Sequence, residues 1–307
     1  MKNRVRWLVI GGGMAGQVHV HAIGRIANAQ VTGIVSSKPS PVPGLTVFAT
    51  LDQALACGKA DAAIVATPNH THTSLVETLL AAEIPVLCEK PVGRSAAEAS
   101  TLLDLSERLG VPIGVVLNQR FCAVNRWIRS LIREQKLRVR RITFDAALPS
   151  LGGWHAEPGQ SGGGILRLLG IHYVDLMRWW LGEPDGLATD MAGSPIDHHA
   201  RVELQFGGCS GHLTLTARGD QHGGPPRCVI EADGARIELR GPTIVGLEGL
   251  DAPAEVDPSY PDQWFGPGHL NLLVEACETL PRMGRFPVSL AAALPSLRLV
   301  DDLYALA

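Results

Sequence analysis

Residues 5–16, Val5-Arg6-Trp7-Leu8-Val9-Ile10-Gly11-Gly12-Gly13-Met14-Ala15-Gly16, decide the fold. A β-type apolar run, expected as a strand over Arg4–Ile10, stops at a cluster of glycines. Gly16–Arg25 then has the composition of a helix. The order strand, G-x-G-x-x-G, helix is the one a dinucleotide pyrophosphate needs. Gly11 allows the tight turn. Gly13 lets the backbone approach the phosphates because no Cβ intervenes, and Gly16 lets helix pack closely on strand. The helix start offers its free N–H groups to the anion. Met14 and Ala15 belong to the same turn. The competing reading, a glycine-rich turn with no ligand, has no use for the pattern that follows.

That pattern alternates strands and helices. Strands are expected at Gln30–Val35, Ala62–Ala66, Val86–Cys88 and Val111–Leu117. Helices are expected at Asp52–Cys57, Thr73–Ala82 and Ala96–Leu109, the last stopped by Gly110. Such alternation specifies a parallel sheet covered on both faces, a doubly wound Rossmann domain over residues 1–119. After about Asn118 the character changes. Helices are expected at Val124–Arg133, Ile165–Leu181, Asn271–Leu280 and Leu290–Leu306. Strands with period-two alternation are expected at Arg140–Ala147, Ala200–Phe206, His212–Ala217, Cys228–Ala232 and Ala235–Leu239. Period two signals antiparallel sheet, so residues 120–307 read as a second, α/β domain.

The end of the second strand bears on cofactor choice. An NAD site places an acid there to bind the ribose 2′-hydroxyl. This chain has Ser36, Ser37 and Lys38 instead, two hydroxyls and a cation that suit a 2′-phosphate. NADP is therefore the expected cofactor, with NAD the alternative.

Further motifs stand in a fixed order. Gly16 is followed by His19 and Ala22; then come Ala66-Thr67-Pro68-Asn69-His70-Thr71-His72, Glu89-Lys90-Pro91, Gly162-Gly163-Gly164 and Gly170-Ile171-His172-Tyr173-Val174-Asp175. Together they resemble the Gfo/Idh/MocA oxidoreductase family over nearly the whole chain. The resemblance implies a Rossmann domain followed by a domain with a large, open, mostly antiparallel sheet that often forms an oligomer interface. It implies hydride transfer between nicotinamide and a sugar, sugar nucleotide or cyclitol. By the same resemblance Thr67, Pro68, Asn69 and His72 lie along the cofactor, and Glu89 and Lys90 beside the nicotinamide. Lys90 reaches the substrate, the Lys90–Pro91 bond is cis, and His172 faces the same pocket. Asn118, Arg120, Trp154 and His155 complete the expected substrate-binding set.

Many family members carry an Asp four residues before the motif histidine. Here Leu168 stands there. Residues i and i+4 share a helical face, so the usual Asp–His partnership is absent. Proton transfer then falls to Lys90 or His172. His172, with an ordinary pKa of about 6.5, is the favoured acid/base, and Lys90 the polarising and positioning group; the reverse assignment stays open. A Glu89 paired directly with Lys90 would raise the lysine pKa, so its side chain is expected to point elsewhere. A non-catalytic NAD(P)-binding regulator of the same fold is the alternative function.

Composition excludes several classes. Among 307 residues, 46% are apolar and 19% charged, with a net charge of −3. No basic field exists to hold nucleic acid or an anionic membrane. The apolar run at Trp7–Ile10 is too short for a leader and no stretch reaches the length of a membrane span, so a cytoplasmic protein is expected. Cys57, Cys88, Cys122, Cys209, Cys228 and Cys277 form no C-x-x-C pair and read as buried apolar side chains. His19-x-His21 and His70-x-His72 lack a further ligand at metal spacing, so no metal is expected. His198, His199 and His222 read as exposed turn residues, Arg138–Arg141 as a solvated strand entry, and Trp179-Trp180 as core. The strands Ala200–Phe206 and His212–Ala217 call for cover on both faces where apolar, which leads to a homodimer or homotetramer.

Overall fold

The computed structural model describes residues 4–37, 44–58, 60–193, 195–217, 224–254 and 268–307. Two compact units emerge: Met1–Asn118 with His269–Pro295, and Gln119–Gly268 with Ser296–Ala307. The expected cut after residue 119 assigned everything beyond it to one domain. The chain instead returns, and His269–Pro295 packs with the first unit. Trp7 shows the physical reason: its indole N–H donates to Cys277 Sγ at 3.4 Å, and Gly114 lies so close under Phe286 that a Cβ there would sit 2.5 Å from the Phe286 side chain.

The first unit runs β1 (Val5–Ile10), α1 (Met14–Gly24), β2 (Ala29–Val35), β3 (Val47–Phe48), α2 (Leu51–Ala56), β4 (Ala62–Val65), α3 (His72–Ala81), β5 (Val86–Cys88), α4 (Ala96–Leu109) and β6 (Ile113–Val115). Its sheet is six-stranded, in the order β3-β2-β1-β4-β5-β6, and every pairing is parallel. That is the doubly wound order, whose switch point lies between β1 and β4. The central strands are apolar on both faces because both are covered; Trp7, Val9 and all of β4 are buried. Local chemistry sets the helix ends. Thr50 and Ser95 cap α2 and α4 through their hydroxyls, and Gly110, at φ +69°, ends α4 in the left-handed conformation that glycine tolerates. The last strand is shorter than its apolar run, Ile113–Val115 within the expected Val111–Leu117.

The second unit contains α5 (Ala123–Arg133), β7 (Val139–Leu148), α6 (Pro158–Ser161), α7 (Ile171–Leu181), β8 (Gly186–Ala192), β9 (His199–Phe206), β10 (Cys209–Ala217), β11 (Arg227–Ala232), β12 (Ala235–Arg240) and β13 (Thr243–Glu248). The seven strands order as β13-β12-β11-β7-β10-β9-β8. Only β7 with β10 is parallel among these pairings. Two helices close the chain, α8 (Gly268–Met283) and α9 (Leu290–Ala305). Helix α7 packs on the sheet's buried face: the Phe144 and Tyr173 rings meet at 4.8 Å, tilted by 33°, and Gly211 makes room for Met177 Sδ. The other face carries Arg141, Asp145, Arg201, Glu203, His212, Thr214 and Thr216, exposed or half-buried. It is polar, so the apolar cover expected for β9 and β10 is needed on one face only. His199 is not in a turn but opens β9, with its Nδ1 3.2 Å from Thr216 Oγ1. No helix among the described residues is long and apolar enough to cross a membrane.

Candidate active site

The turn after β1 has the geometry the glycines were expected to provide. Gly11 stands at φ +114°, and a Cβ there would lie 2.2 Å from the Ala66 carbonyl oxygen. A Cβ on Gly16 would fall 1.9 Å from the Gly11 carbonyl oxygen, so this glycine admits the helix onto the turn. Gly12, which sequence reasoning passed over, is equally constrained: its Cβ would sit 2.3 Å from Ser36 Oγ. Gly13 differs, because nothing lies within 4 Å of a Cβ built on it. It is the N-cap of α1, and no side chain caps that helix. Uncapped N–H groups beside open space fit a pyrophosphate. Met14, 64% exposed, and half-buried Ala15 stand on the same first turn. Ser36 is half-buried and Ser37 exposed; Lys38 lies outside the described residues, as does His222.

Two loops border this turn, and His72 joins them. Its buried ring faces two carbonyl oxygens, Nδ1 to Pro91 O at 2.9 Å and Nε2 to Thr67 O at 2.8 Å. Burial lowers its pKa, while those carbonyls pull the other way. Thr67 is fixed again by its hydroxyl, 2.6 Å from Thr71 Oγ1, which also donates to Pro68 O. Asn69 is buried beside them. His72 was expected along the cofactor; both of its ring nitrogens face loop carbonyls, so the ring braces these two loops.

Beyond β5, the Glu89 carboxylate turns to α1. Glu89 Oε1 is 2.8 Å from His19 Nε2, and Oε2 accepts the Lys90 backbone N–H at 3.2 Å. An ionised carboxylate can only accept, so His19 Nε2 is the donor. Burial pushes the Glu89 carboxyl up, but the His19 hydrogen bond and the fields of His19, His269 and Lys90 outweigh it and bring it down to about 2. Burial lowers the Lys90 ammonium from its usual range, and the Glu89 charge opposes that. The Lys90–Pro91 peptide is cis. His269, from α8, meets His19 edge-on at 5.6 Å, and its Nδ1 accepts from Asn118 Nδ2 at 3.2 Å. Asn118 Oδ1 is buried with no partner among the described residues. His19 stood in the sequence as a motif letter without a role. His269 carried no signal, because its partners Asn118 and His19 lie 151 and 250 positions away in the chain.

In the second unit, half-buried His172 stands on the first turn of α7. The expected single helix over Ile165–Leu181 is interrupted: Leu166–Gly170 is a π turn, with the Ile171 N–H bonded to Leu166 O. With i→i+5 bonding, residues four and five apart bracket one turn. Both Leu168 and Arg167 therefore stand one turn before His172. Arg167 is buried, donating to Gly162 O at 2.8 Å and Asp301 Oδ1 at 2.6 Å. Asp197 takes the Gly164 and Leu166 N–H groups at this helix entry, and a Cβ on Gly164 would strike its backbone. Arg120, expected to contact substrate, is committed elsewhere: its guanidinium forms a buried bidentate pair with Asp175. Trp154 and His155 lie on a short 3-10 turn, Gly153–Ala156, their rings 3.7 Å apart. Trp180 is core, donating to Asn125 O; Trp179 lies under the Arg129 guanidinium at 4.3 Å.

A doubly wound sheet with an open glycine turn at its switch point defines a dinucleotide-binding Rossmann protein. Family profiles carry this further. One described as oxidoreductase family, NAD-binding Rossmann fold, matches residues 5–117, and the GFO/IDH/MocA C-terminal domain matches residues 126–238. The chain belongs to the Gfo/Idh/MocA oxidoreductase family. It is 30% identical over 190 residues to the rhizopine catabolism protein MocA of Rhizobium meliloti, covering 59% of this chain and 58% of that protein. It is 33% identical over 251 residues to an inositol 2-dehydrogenase of Leifsonia xyli subsp. xyli, covering 78% and 64%. The match thus spans less than two thirds of either relative. The WlbA dehydrogenase of Bordetella pertussis, solved with NADH and UDP-GlcNAcA, shares the fold, with a TM-score of 0.84 at 19% identity over 100% of this chain and 96% of that one.

Proposed function

We propose that this chain is an NAD(P)-dependent oxidoreductase that moves hydride between the nicotinamide and a hydroxyl carbon or ketone of a sugar, sugar nucleotide or cyclitol. The observation that carries this reading is Gly13, open to space at the uncapped N-terminus of α1, in a chain of an oxidoreductase family. When bound, the nicotinamide accepts or supplies the hydride. Gly11, Gly13, Met14, Ala15 and Gly16 receive the pyrophosphate, with Thr67, Pro68 and Asn69 along the cofactor. Lys90 polarises the substrate oxygen and positions it. His172 takes the hydroxyl proton in oxidation and returns it in reduction. Asn118, Trp154 and His155 contact the substrate, and Arg120 holds α7 through Asp175. The test is incubation with NAD(P)⁺ and a panel of inositols, free sugars and nucleotide-linked sugars, following the near-ultraviolet absorbance of the reduced nicotinamide. Tight cofactor binding with no absorbance change on any substrate would favour the regulator instead.

NADP is the proposed preference, supported by Ser36, Ser37 and Lys38 in place of an acid. Titration with both cofactors at one salt concentration decides it, and NAD binding as tightly as NADP sinks it. The six cysteines all carry free thiols, which suits the reducing cytoplasm. A homodimer or homotetramer completes the proposal; its support is the family resemblance alone, because the open sheet face is polar. Light scattering that returns the mass of a single chain at all concentrations overturns it.

A further inference from the structure

Gly162-Gly163-Gly164 takes no part in the chemistry proposed above, and the second unit shows what these glycines admit. A helix start leaves its first four N–H groups without intrahelical partners. Ahead of α7 those of Gly164, Ile165, Leu166 and Arg167 are all taken by two distant residues. Asp197, buried between β8 and β9, accepts the Gly164 N–H at 2.7 Å on Oδ1, the Leu166 N–H at 2.8 Å on Oδ2 and the Ile165 N–H at 2.9 Å on its backbone oxygen. The Tyr304 hydroxyl, near the end of α9, accepts from Gly164 at 3.0 Å and from Arg167 at 3.2 Å, and donates to Asp197 Oδ1 at 2.6 Å. The two lone pairs and the one proton of that hydroxyl are thereby used. Burial, then the Asp197 charge, push the Tyr304 pKa up and keep the donor in place.

The glycines make this clamp possible. A Cβ on Gly163 would lie 2.6 Å from the Tyr304 hydroxyl oxygen, and one on Gly164 2.1 Å from the Asp197 carbonyl oxygen. The Arg167 side chain adds a third hold, to Gly162 O and Asp301. Downstream, Asp175 is held by Arg120 and Ser296. Between the two anchorages runs the π turn, with the Ile171 N–H on Leu166 O, and His172 is the next residue. Such a turn takes one residue more than an α-turn, so it persists where both of its ends are fixed. We infer that Asp197 and Tyr304 are positioning residues for His172: they fix the entry of α7, hold the π turn open, and so set where the histidine stands. The inference rests on the reading of His172 as the acid/base group, and adds to it the device that holds that group in place.

Tyr304→Phe removes one oxygen and takes that acceptor from the Arg167 N–H. In this variant kcat is expected to fall by about tenfold to a hundredfold, the cost of a misplaced reacting group, with KM and cofactor affinity unchanged. In the His172→Ala background the same substitution is expected to add nothing, because its effect runs through the histidine. A merely structural loss lowers turnover equally in both backgrounds, and that outcome overturns the inference. A second readout needs no substrate. The imidazole Hε1–Cε1 NMR signal of His172, assigned by its loss in His172→Asn, is expected to shift or broaden in Tyr304→Phe. It is expected to stay in place in Trp180→Phe, which loses a buried hydrogen bond farther along the same helix. An equal shift in Trp180→Phe, or an unmoved signal in folded Tyr304→Phe, overturns the inference. Should Tyr304→Phe fail to fold, Asp301→Asn, which loosens the Arg167 hold at its half-buried end, takes its place with the same outcomes. Full turnover in His172→Ala removes the acid/base reading alone, and the imidazole signal then decides the clamp.

Discussion

Arg120 and Asp175 form a bidentate ion pair in the interior of the second unit, Nε to Oδ2 at 2.8 Å and Nη2 to Oδ1 at 2.6 Å. Ser296 donates to the same Oδ1 at 2.6 Å. Within the H-x-x-D spacing of the α7 motif, His172 is half-buried and Asp175 anchors the helix. Removing one partner strands a buried charge. Asp175→Ala is expected to cost about 3–5 kcal/mol, read as a lowered urea midpoint. A loss near the roughly 0–1 kcal/mol of a surface pair would show that Arg120 is solvated after all.

Gly13 and Gly16 separate ligand chemistry from folding. Gly13→Ala places its Cβ in open space, so thermal stability is expected to stay near wild type while dinucleotide affinity falls by tenfold or more, about 1.4 kcal/mol. Gly16→Ala drives a Cβ to 1.9 Å from a backbone oxygen and is expected to lose stability and cofactor together. Calorimetric titration and melting of both variants decide the matter. An unchanged affinity in Gly13→Ala would remove the turn from the binding site.

Lys90→Ala is expected to cut turnover by about 10²–10⁴-fold, the usual worth of a positioned proton-transfer or polarising group. Cofactor affinity should move only a few-fold, since the pyrophosphate turn is untouched. His172→Ala is expected to match it in turnover, with the near-neutral limb of the pH–rate profile abolished. Turnover within a few-fold of wild type in either variant removes that residue from the chemistry.

Glu89 links acid stability to the cluster around it. Its folded value of about 2 lies below the ordinary 4.5, so the unfolded chain takes up the proton first as pH falls. The stabilisation is complete above the ordinary value and is lost as pH drops through the folded one. The shift corresponds to about 3 kcal/mol. Urea unfolding between those two pH values should show wild type losing that stability and Glu89→Gln losing much less. Parallel pH profiles for the two proteins would contradict the assignment.

Legibility in the sequence tracked locality. The Gly11–Gly16 turn, the Rossmann alternation and the period-two strands β9 to β12 could be read because each is written within a few consecutive residues. The edge strands β3, β8 and β13 escaped. Their partners lie on one side only, and much of their length is exposed, β8 and β13 included; without buried positions at regular spacing no period appears. The π turn at Leu166–Gly170 escaped because its apolar residues suit an α-helix equally well. It departs from one by a single displaced hydrogen bond.

The sequence by itself determined the class of fold and the dinucleotide turn. Glycine at 11, 13 and 16 between an apolar strand and a helix has few other physical uses, and the ordered motifs through Glu89-Lys90-Pro91 and Gly170–Asp175 marked the family. Only the tertiary structure decided which side chains are partners. It gave Glu89 to His19, Arg120 to Asp175 and Asn118 to His269, and returned His269–Pro295 to the first unit. Hydrogen bonds and ion pairs form over a few ångströms between residues 55 to 151 positions apart. A local pattern carries no record of such distances until the sheets and helices that span them have packed.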